Sequence, residues 1–352
     1  MNSLYPTFES YHNQLYSGSM IKTFDRYIRQ VENLRSENRR ISLGAVKNIC
    51  NRINETIDLY LTGNSGEAYS TLTALLDVKE IDSAIMNIST SSKQTVDLYK
   101  ARVGNQILSK RTEIFHLPFD QRHLVKNYRY SITGVPSLYL GTSTYICWLE
   151  LNQPPFSDFW ISKYVFNPKE NIVIDFTYSI ENKINEFKAS TINVGRLNDY
   201  LKVWPFIIAC SFKTKFPDSN FQEEYIVPNI ILQWIKRDKP NIIGLKFLST
   251  KTAVKDPEIC TNYVFPSTPK NNSSPRKYCD NLKSYFRLTY PLPWSMLDTL
   301  PKPDVIAAGG NSFKSKNIQE VIIKNYKFTA FRMIERLIDN FEIRKIPIEN
   351  RS

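Results

Sequence analysis

The chain has 352 residues, a formal charge of +12, 42% apolar side chains and five cysteines. It is long enough for a large core and two or three structural units, and no apolar run approaches the roughly 18–20 residues of a membrane span. Residues 1–13 show no basic stretch leading into an apolar one, so no secretory leader is read and a cytoplasmic setting is expected.

Residues 20–97 read as helical. Ile21, Phe24, Ile28, Val31 and Leu34 recur at three- and four-residue steps, the spacing of one helix face. Ser42 is placed to cap a second helix carrying Leu43, Val46, Ile49, Ile53 and Ile57. Asn64 or Ser65 is placed to cap a third, with Ala68, Leu72, Leu75 and Leu76 inward. No reactive cluster falls here, and residues 1–97 are assigned as a helical domain for packing or for a partner.

From about residue 95 the texture changes to short apolar runs broken by Gly and Pro. Residues 137–140, 172–176, 205–210 and 242–248 read as buried strands, and 144–151 and 227–236 as helices. This order predicts an α+β domain over residues 98–266 with a mixed sheet, not a regular βαβ repeat. No dinucleotide fingerprint or P-loop is present, and the pair Gly309 and Gly310 reads as a turn. Residues 266–276 read as a loop, opening a C-terminal extension, 267–352. Pro291, Pro293, Pro301 and Pro303 punctuate it. A helical stretch over 316–341 follows, with Val321, Tyr326, Phe328, Met333, Leu337 and Phe341 as its apolar side.

The positive charge is unevenly placed. Residues 1–97 hold 10 Lys/Arg against 11 Asp/Glu, 98–265 hold 21 against 15, and 266–352 hold 15 against 8. There is no long Lys/Arg run, which argues against a dedicated nucleic-acid or membrane-surface protein and leaves an anionic metabolite as the expected partner. Cys50, Cys147, Cys210, Cys260 and Cys279 are scattered and share no metal-ligand spacing with His12, His116 or His123. Free thiols and no metal are therefore expected.

The stretch from Tyr128 to Glu150 is the most informative. Arg129 precedes a turn made by Gly134, Val135 and Pro136. Tyr139 sits in the strand that follows, and Glu150 ends the next helix. An arginine, an aromatic ring and a carboxylate around one cleft suit NAD. The guanidinium binds the diphosphate through two parallel hydrogen bonds, the ring packs on nicotinamide or ribose, and the carboxylate stabilises a ribosyl cation as the nicotinamide leaves. Taken singly, each residue has a plainer reading: Arg129 in a salt bridge, Tyr139 in the core, Glu150 on a solvated helix face, Ser249 in a strand-end turn.

The block resembles the RES domain, a family named for its Arg, Glu and Ser. The matching residues are Arg129, the Gly134 to Tyr139 strand and Glu150. Ser249 closes the strand that begins at Gly244, and the strand of Asn262 and Tyr263 follows. The opening strand of the family matches Leu98 to Arg102, with Arg102 the better fit for its arginine and Lys100 a stand-in. Residues 98–266 carry the resemblance. It implies a fold like that of ADP-ribosyltransferase toxins and NAD as substrate, with no other cofactor. Arg129, Tyr139, Glu150 and Ser249 would be catalytic, and Arg102, Ser131 and Asn262 would bind substrate. The activity implied is cleavage of NAD by hydrolysis or phosphorolysis, arresting growth in a toxin–antitoxin or defence setting. ADP-ribosyl transfer to a macromolecule, and an inactive RES fold that binds nucleic acid or protein, are the alternatives. An antitoxin or regulatory partner and a homo-oligomer are left open.

Overall fold

The structure, a computed structural model, describes residues 16–89, 95–167, 172–269, 277–299 and 316–347. Helices α1 (Tyr16–Glu37), α2 (Leu43–Leu61), α3 (Ser65–Leu76) and α4 (Lys79–Ile88) come first. They are followed by β1 (Val96–Val103), β2 (Ser137–Gly141), α5 (Thr144–Glu150), β3 (Phe159–Phe166) and β4 (Ile172–Phe176). Then come α6 (Ile180–Lys188), α7 (Val194–Cys210), α8 (Ile226–Asp238), β5 (Ile242–Leu248) and β6 (Thr261–Pro266). The chain closes with α9 (Asp280–Tyr285), β7 (Phe286–Leu288), β8 (Leu292–Pro293), α10 (Lys316–Lys324) and α11 (Ala330–Ile338). The fold is α+β. Among the described residues, no helix is long and apolar enough to cross a membrane. The turn expected at Gly309 and Gly310 lies outside the described residues.

Two compact units form, and they do not follow the linear division at residues 97 and 266. Unit 1 takes the described residues of Met1–Thr90, Lys126–Thr133 and Ile174–Ile242; unit 2 takes those of Ser91–Val125, Gly134–Val173 and Ile243–Ser352. The reason is burial. Helix α7 packs on α1, α2 and α4, and α8 packs on α2 and α3, so the middle helices complete the N-terminal bundle. The C-terminal segment is likewise part of unit 2, since β7 and β8 pair with β3 and α11 packs on α5.

In unit 1, α1 buries Tyr16, Met20, Phe24, Tyr27, Val31 and Leu34, a stripe at three- and four-residue steps. Residues 205–210, expected as a strand, are instead the last turns of α7. Every residue from Val203 to Cys210 is buried there, so the run lacks the polar face that marks a surface helix. Pro205 lies inside this helix and has no N–H for the carbonyl of Leu201. The Tyr27 hydroxyl donates to that carbonyl at 2.7 Å, so the acceptor is not left bare.

In unit 2 the sheet runs β5-β6-β2-β1-β3-β7, with β8 also on β3. Strand β3 pairs with β1 from Val96↔Phe166 to Val103↔Phe159, and β6 pairs with β2 over its whole length. Strands β1 and β2 share only the pair Tyr99↔Gly141 and diverge beyond it. Leu98, Leu138, Leu140, Tyr263 and Phe265 pack on one face. Tyr99, Ala101 and the side chains of α5 pack on the other, together with Phe331, Ile334 and Ile338 of α11. The single helix expected over 316–341 is broken at Asn325–Thr329, where Thr329 caps α11. Its buried side is Ile323, Phe331, Ile334 and Ile338, whereas Val321 and Phe328 are exposed.

Gly141 allows α5 to lie against the sheet. A Cβ there would sit 2.5 Å from Ile146 Cγ2 and 2.9 Å from Cys147 Sγ. Gly141→Ala is expected to destabilise the protein by about 1–3 kcal/mol, the usual range for overpacking. A urea midpoint equal to wild type would show that α5 yields freely.

His116 gives unit 2 a pH-sensitive core. It is buried among Phe115, Phe119 and Tyr278. Its Nδ1 donates to the Leu117 carbonyl at 2.7 Å, and its Nε2 accepts from the Cys279 amide at 2.9 Å. Only the neutral ring makes both bonds, and burial pushes its pKa from 6.5 down to about 4. A depressed folded pKa means that this stability is complete above about pH 6.5 and is lost as pH falls toward 4, by at most about 3 kcal/mol. His116→Gln keeps an acceptor but does not titrate. Unfolding measured across pH 4–7 should fall more steeply in wild type than in His116→Gln, and parallel curves would refute the assignment.

Candidate active site

The end of α5, the end of β5 and β6, all in unit 2, meet at Glu150. Helix α5 starts where the Ser143 hydroxyl accepts from the Ile146 amide at 3.0 Å and donates to the Ile259 carbonyl at 2.7 Å. The helix ends at Glu150. Beyond it Asn152 and Gln153 take left-handed backbone angles, φ 61° and 59°. Two consecutive non-glycine residues in that region need outside support. The Gln153 amide donates to Trp148 O at 2.9 Å, the Trp148 indole donates to Pro154 O at 2.9 Å, and Lys251 Nζ donates to Asn152 Oδ1 at 2.9 Å.

Glu150 Oε1 accepts two hydrogen bonds, from Ser249 Oγ at 2.6 Å and from Asn262 Nδ2 at 2.5 Å. Ser249 follows the last residue of β5. Its amide donates to Cys260 O at 2.9 Å, and its hydroxyl also accepts from the Lys251 amide at 3.0 Å. Asn262 pairs with both Gly141 and Phe247 across the sheet. Ser249 and Asn262 are buried and Glu150 is half-buried. Among the described residues, Glu150 Oε2 has no hydrogen-bond partner and no cation pairs with the carboxylate. The group is therefore oriented by neutral donors but not neutralised, so it can stabilise a developing cation or accept a proton.

The register places Tyr139 on the same sheet face as Asn262, because Gly141 opposes Asn262 and Tyr139 is two residues from Gly141. Phe247 shares that face. It was not among the expected residues, since nothing in the run 242–248 distinguishes its position from the other apolar ones.

Lys100 and Arg102 alternate with Tyr99 and Ala101 and so lie on the opposite face of the sheet. Arg102 donates to the Glu113 carbonyl. Lys100 reaches the Tyr139 carbonyl at 3.5 Å where β1 and β2 diverge. Burial, aided by the Arg102 cation, lowers its pKa to about 8.

Arg129 and Ser131 belong to unit 1. Arg129 is buried and donates to Cys210 O at 2.7 Å and to Phe212 O at 2.6 Å, the carbonyls at the C-terminal end of α7. A cation there suits the helix dipole. Ser131 closes a turn in which Tyr130 has φ 58°. Its amide donates to Asn229 Oδ1 at 2.7 Å and its hydroxyl to Asn127 Oδ1 at 3.1 Å. Arg129 and Ser131 therefore both have structural work in the helical unit.

The chain matches no family model and no solved structure. It is similar to a protein of Bacillus subtilis (strain 168) named "Putative toxin YopC", with 25% identity over 262 residues, 71% of this chain and 59% of that protein. The chain thus spans about 59% of the length of the curated relative it matches.

Proposed function

We propose that this chain is a toxin of the RES type that consumes NAD by cleaving the nicotinamide–ribose bond. The observation that carries the reading is the Glu150 carboxylate, held through one oxygen by Ser249 and Asn262 while the other oxygen is left open. The Arg–Glu–Ser resemblance and the toxin-named relative support it. In this mechanism the C1′–N bond breaks and its electron pair leaves with neutral nicotinamide. Glu150 stabilises the positive charge left on the ribose. Water or phosphate then adds at C1′, and a proton from the attacking group passes to Glu150 or solvent. Tyr139 positions the nicotinamide riboside, while Ser249 and Asn262 fix the carboxylate. With Arg129 holding the carbonyls of Cys210 and Phe212 and Arg102 that of Glu113, the diphosphate falls to Lys251, on the loop after Ser249. A toxin of this kind requires a neutralising partner in its own cell.

The test is incubation of the purified chain with NAD, with and without phosphate. Nicotinamide with ADP-ribose marks hydrolysis, and nicotinamide with a phosphorylated ADP-ribose marks phosphorolysis. Label transferred from NAD to an added lysate protein marks transfer. NAD left intact under all three conditions refutes the reading.

A further inference from the structure

The C-terminal segment contributes two buried polar side chains, and both terminate on backbone that leads into the Glu150–Ser249 pair. Gln319 of α10 is 5% exposed, and its Oε1 accepts from the Ala253 amide at 3.0 Å and from Thr252 Oγ1 at 3.1 Å. Those residues follow Ser249 on its loop. Thr252 Oγ1 in turn accepts from the Val254 amide at 3.1 Å, and Lys255 Nζ ties back to Ser249 O at 2.7 Å. Glu335 of α11 is 2% exposed, and its Oε1 accepts from the Thr144 amide at 2.8 Å, Thr144 Oγ1 at 3.1 Å and the Tyr326 hydroxyl at 2.5 Å. Arg332 donates to its Oε2 at 3.1 Å. Thr144 is the first residue of the two-turn helix that ends in Glu150.

Docking alone does not require these groups. Phe331, Ile334 and Ile338 already give α11 an apolar seat, and burying an amide and a carboxylate carries a desolvation cost that apolar residues would avoid. What polar groups add is direction. One fixes where the Ser249 loop lies, and the other fixes the start of α5.

We propose that residues 316–347 act as a clamp that sets the Glu150–Ser249 geometry, with Gln319 and Glu335 as positioning residues. The proposal rests on the NAD-cleaving reading for its kinetic consequence but not for its structural one. Gln319 is the cleaner site to test, because Glu335 variants are exposed to misfolding.

In the full chain, Gln319→Ala should speed hydrogen exchange at the Ala253 amide about tenfold, the consequence of losing one hydrogen bond. Exchange in β1 and β3 should stay at the wild-type rate. The kcat for NAD should fall about tenfold, with KM held within about threefold, the pattern of a misplaced catalytic group. Gln319→Glu, which keeps the acceptor, should restore both. Unchanged exchange at Ala253, a rise spread evenly through the sheet, or wild-type kcat per folded molecule would each overturn the clamp. If the wild-type chain does not cleave NAD, the proposed reaction falls, and the exchange measurements alone then decide for or against the clamp.

Discussion

Glu150→Gln should leave a folded protein that binds NAD and cleaves it about two to three orders of magnitude more slowly, the usual cost of removing one preorganised electrostatic group. The geometry makes this a clean substitution. Asn262 Nδ2 can only donate, so it selects the glutamine oxygen for the position now held by Oε1. The bonds from Ser249 and Asn262 then persist, and the amide nitrogen falls where Oε2 was. A negative oxygen facing the ribose is replaced by a donor with a partial positive charge. Ground-state binding changes little, so kcat should fall while KM stays nearly constant. Ser249→Ala removes one of the two orienting bonds and should cost about tenfold in kcat, close to one lost hydrogen bond. Purified Glu150→Gln with wild-type turnover would remove Glu150 from the mechanism. A collapse in thermal stability would make it a structural residue instead.

How much of this was legible in the sequence varies with the distance of the interaction. The local pieces were readable: the strand at 137–140, the helix ending at Glu150, the strand before Ser249 and the first helices each have their own periodicity or turn residues. Residues 205–210 misled because a helix end buried on every side looks like a buried strand. The C-terminal helix misled in register. Its apolar residues are spaced for more than one face, and the break at Thr329 resets the phase, leaving Phe328 exposed and Ile334 buried. Gln319 and Glu335 carried no local signal, since their partners Thr252 and Thr144 lie 67 and 191 residues away. The unit boundaries were hidden for the same reason: α7 and α8 are separated from α1–α4 by the first strands of the sheet. Of the resemblance-derived set, Glu150, Ser249 and Asn262 meet within unit 2, and Arg129 holds the carbonyls at the end of α7 within unit 1.

Arg129 is therefore expected to act on stability before it acts on chemistry. Arg129 is 7% exposed, and its guanidinium spans the carbonyls of Cys210 and Phe212 and lies over the Tyr225 ring at 5.1 Å. Arg129→Ala leaves two carbonyls unpaired at the buried end of α7. With a charged hydrogen bond contributing roughly 1.5–3 kcal/mol, the loss should reach about 3–5 kcal/mol. Arg129→Lys keeps the charge near the helix end but lacks the planar fork that reaches both carbonyls, so it should lose about half as much. Trp204 and Trp234 are buried in unit 1 and report its unfolding by fluorescence. A lowered denaturant midpoint in that signal, graded from Lys to Ala, is the expected result. The rival role, binding the diphosphate of NAD, predicts the reverse: an unchanged midpoint with a raised KM. That outcome would return Arg129 to the site and overturn its assignment as the cation that closes α7.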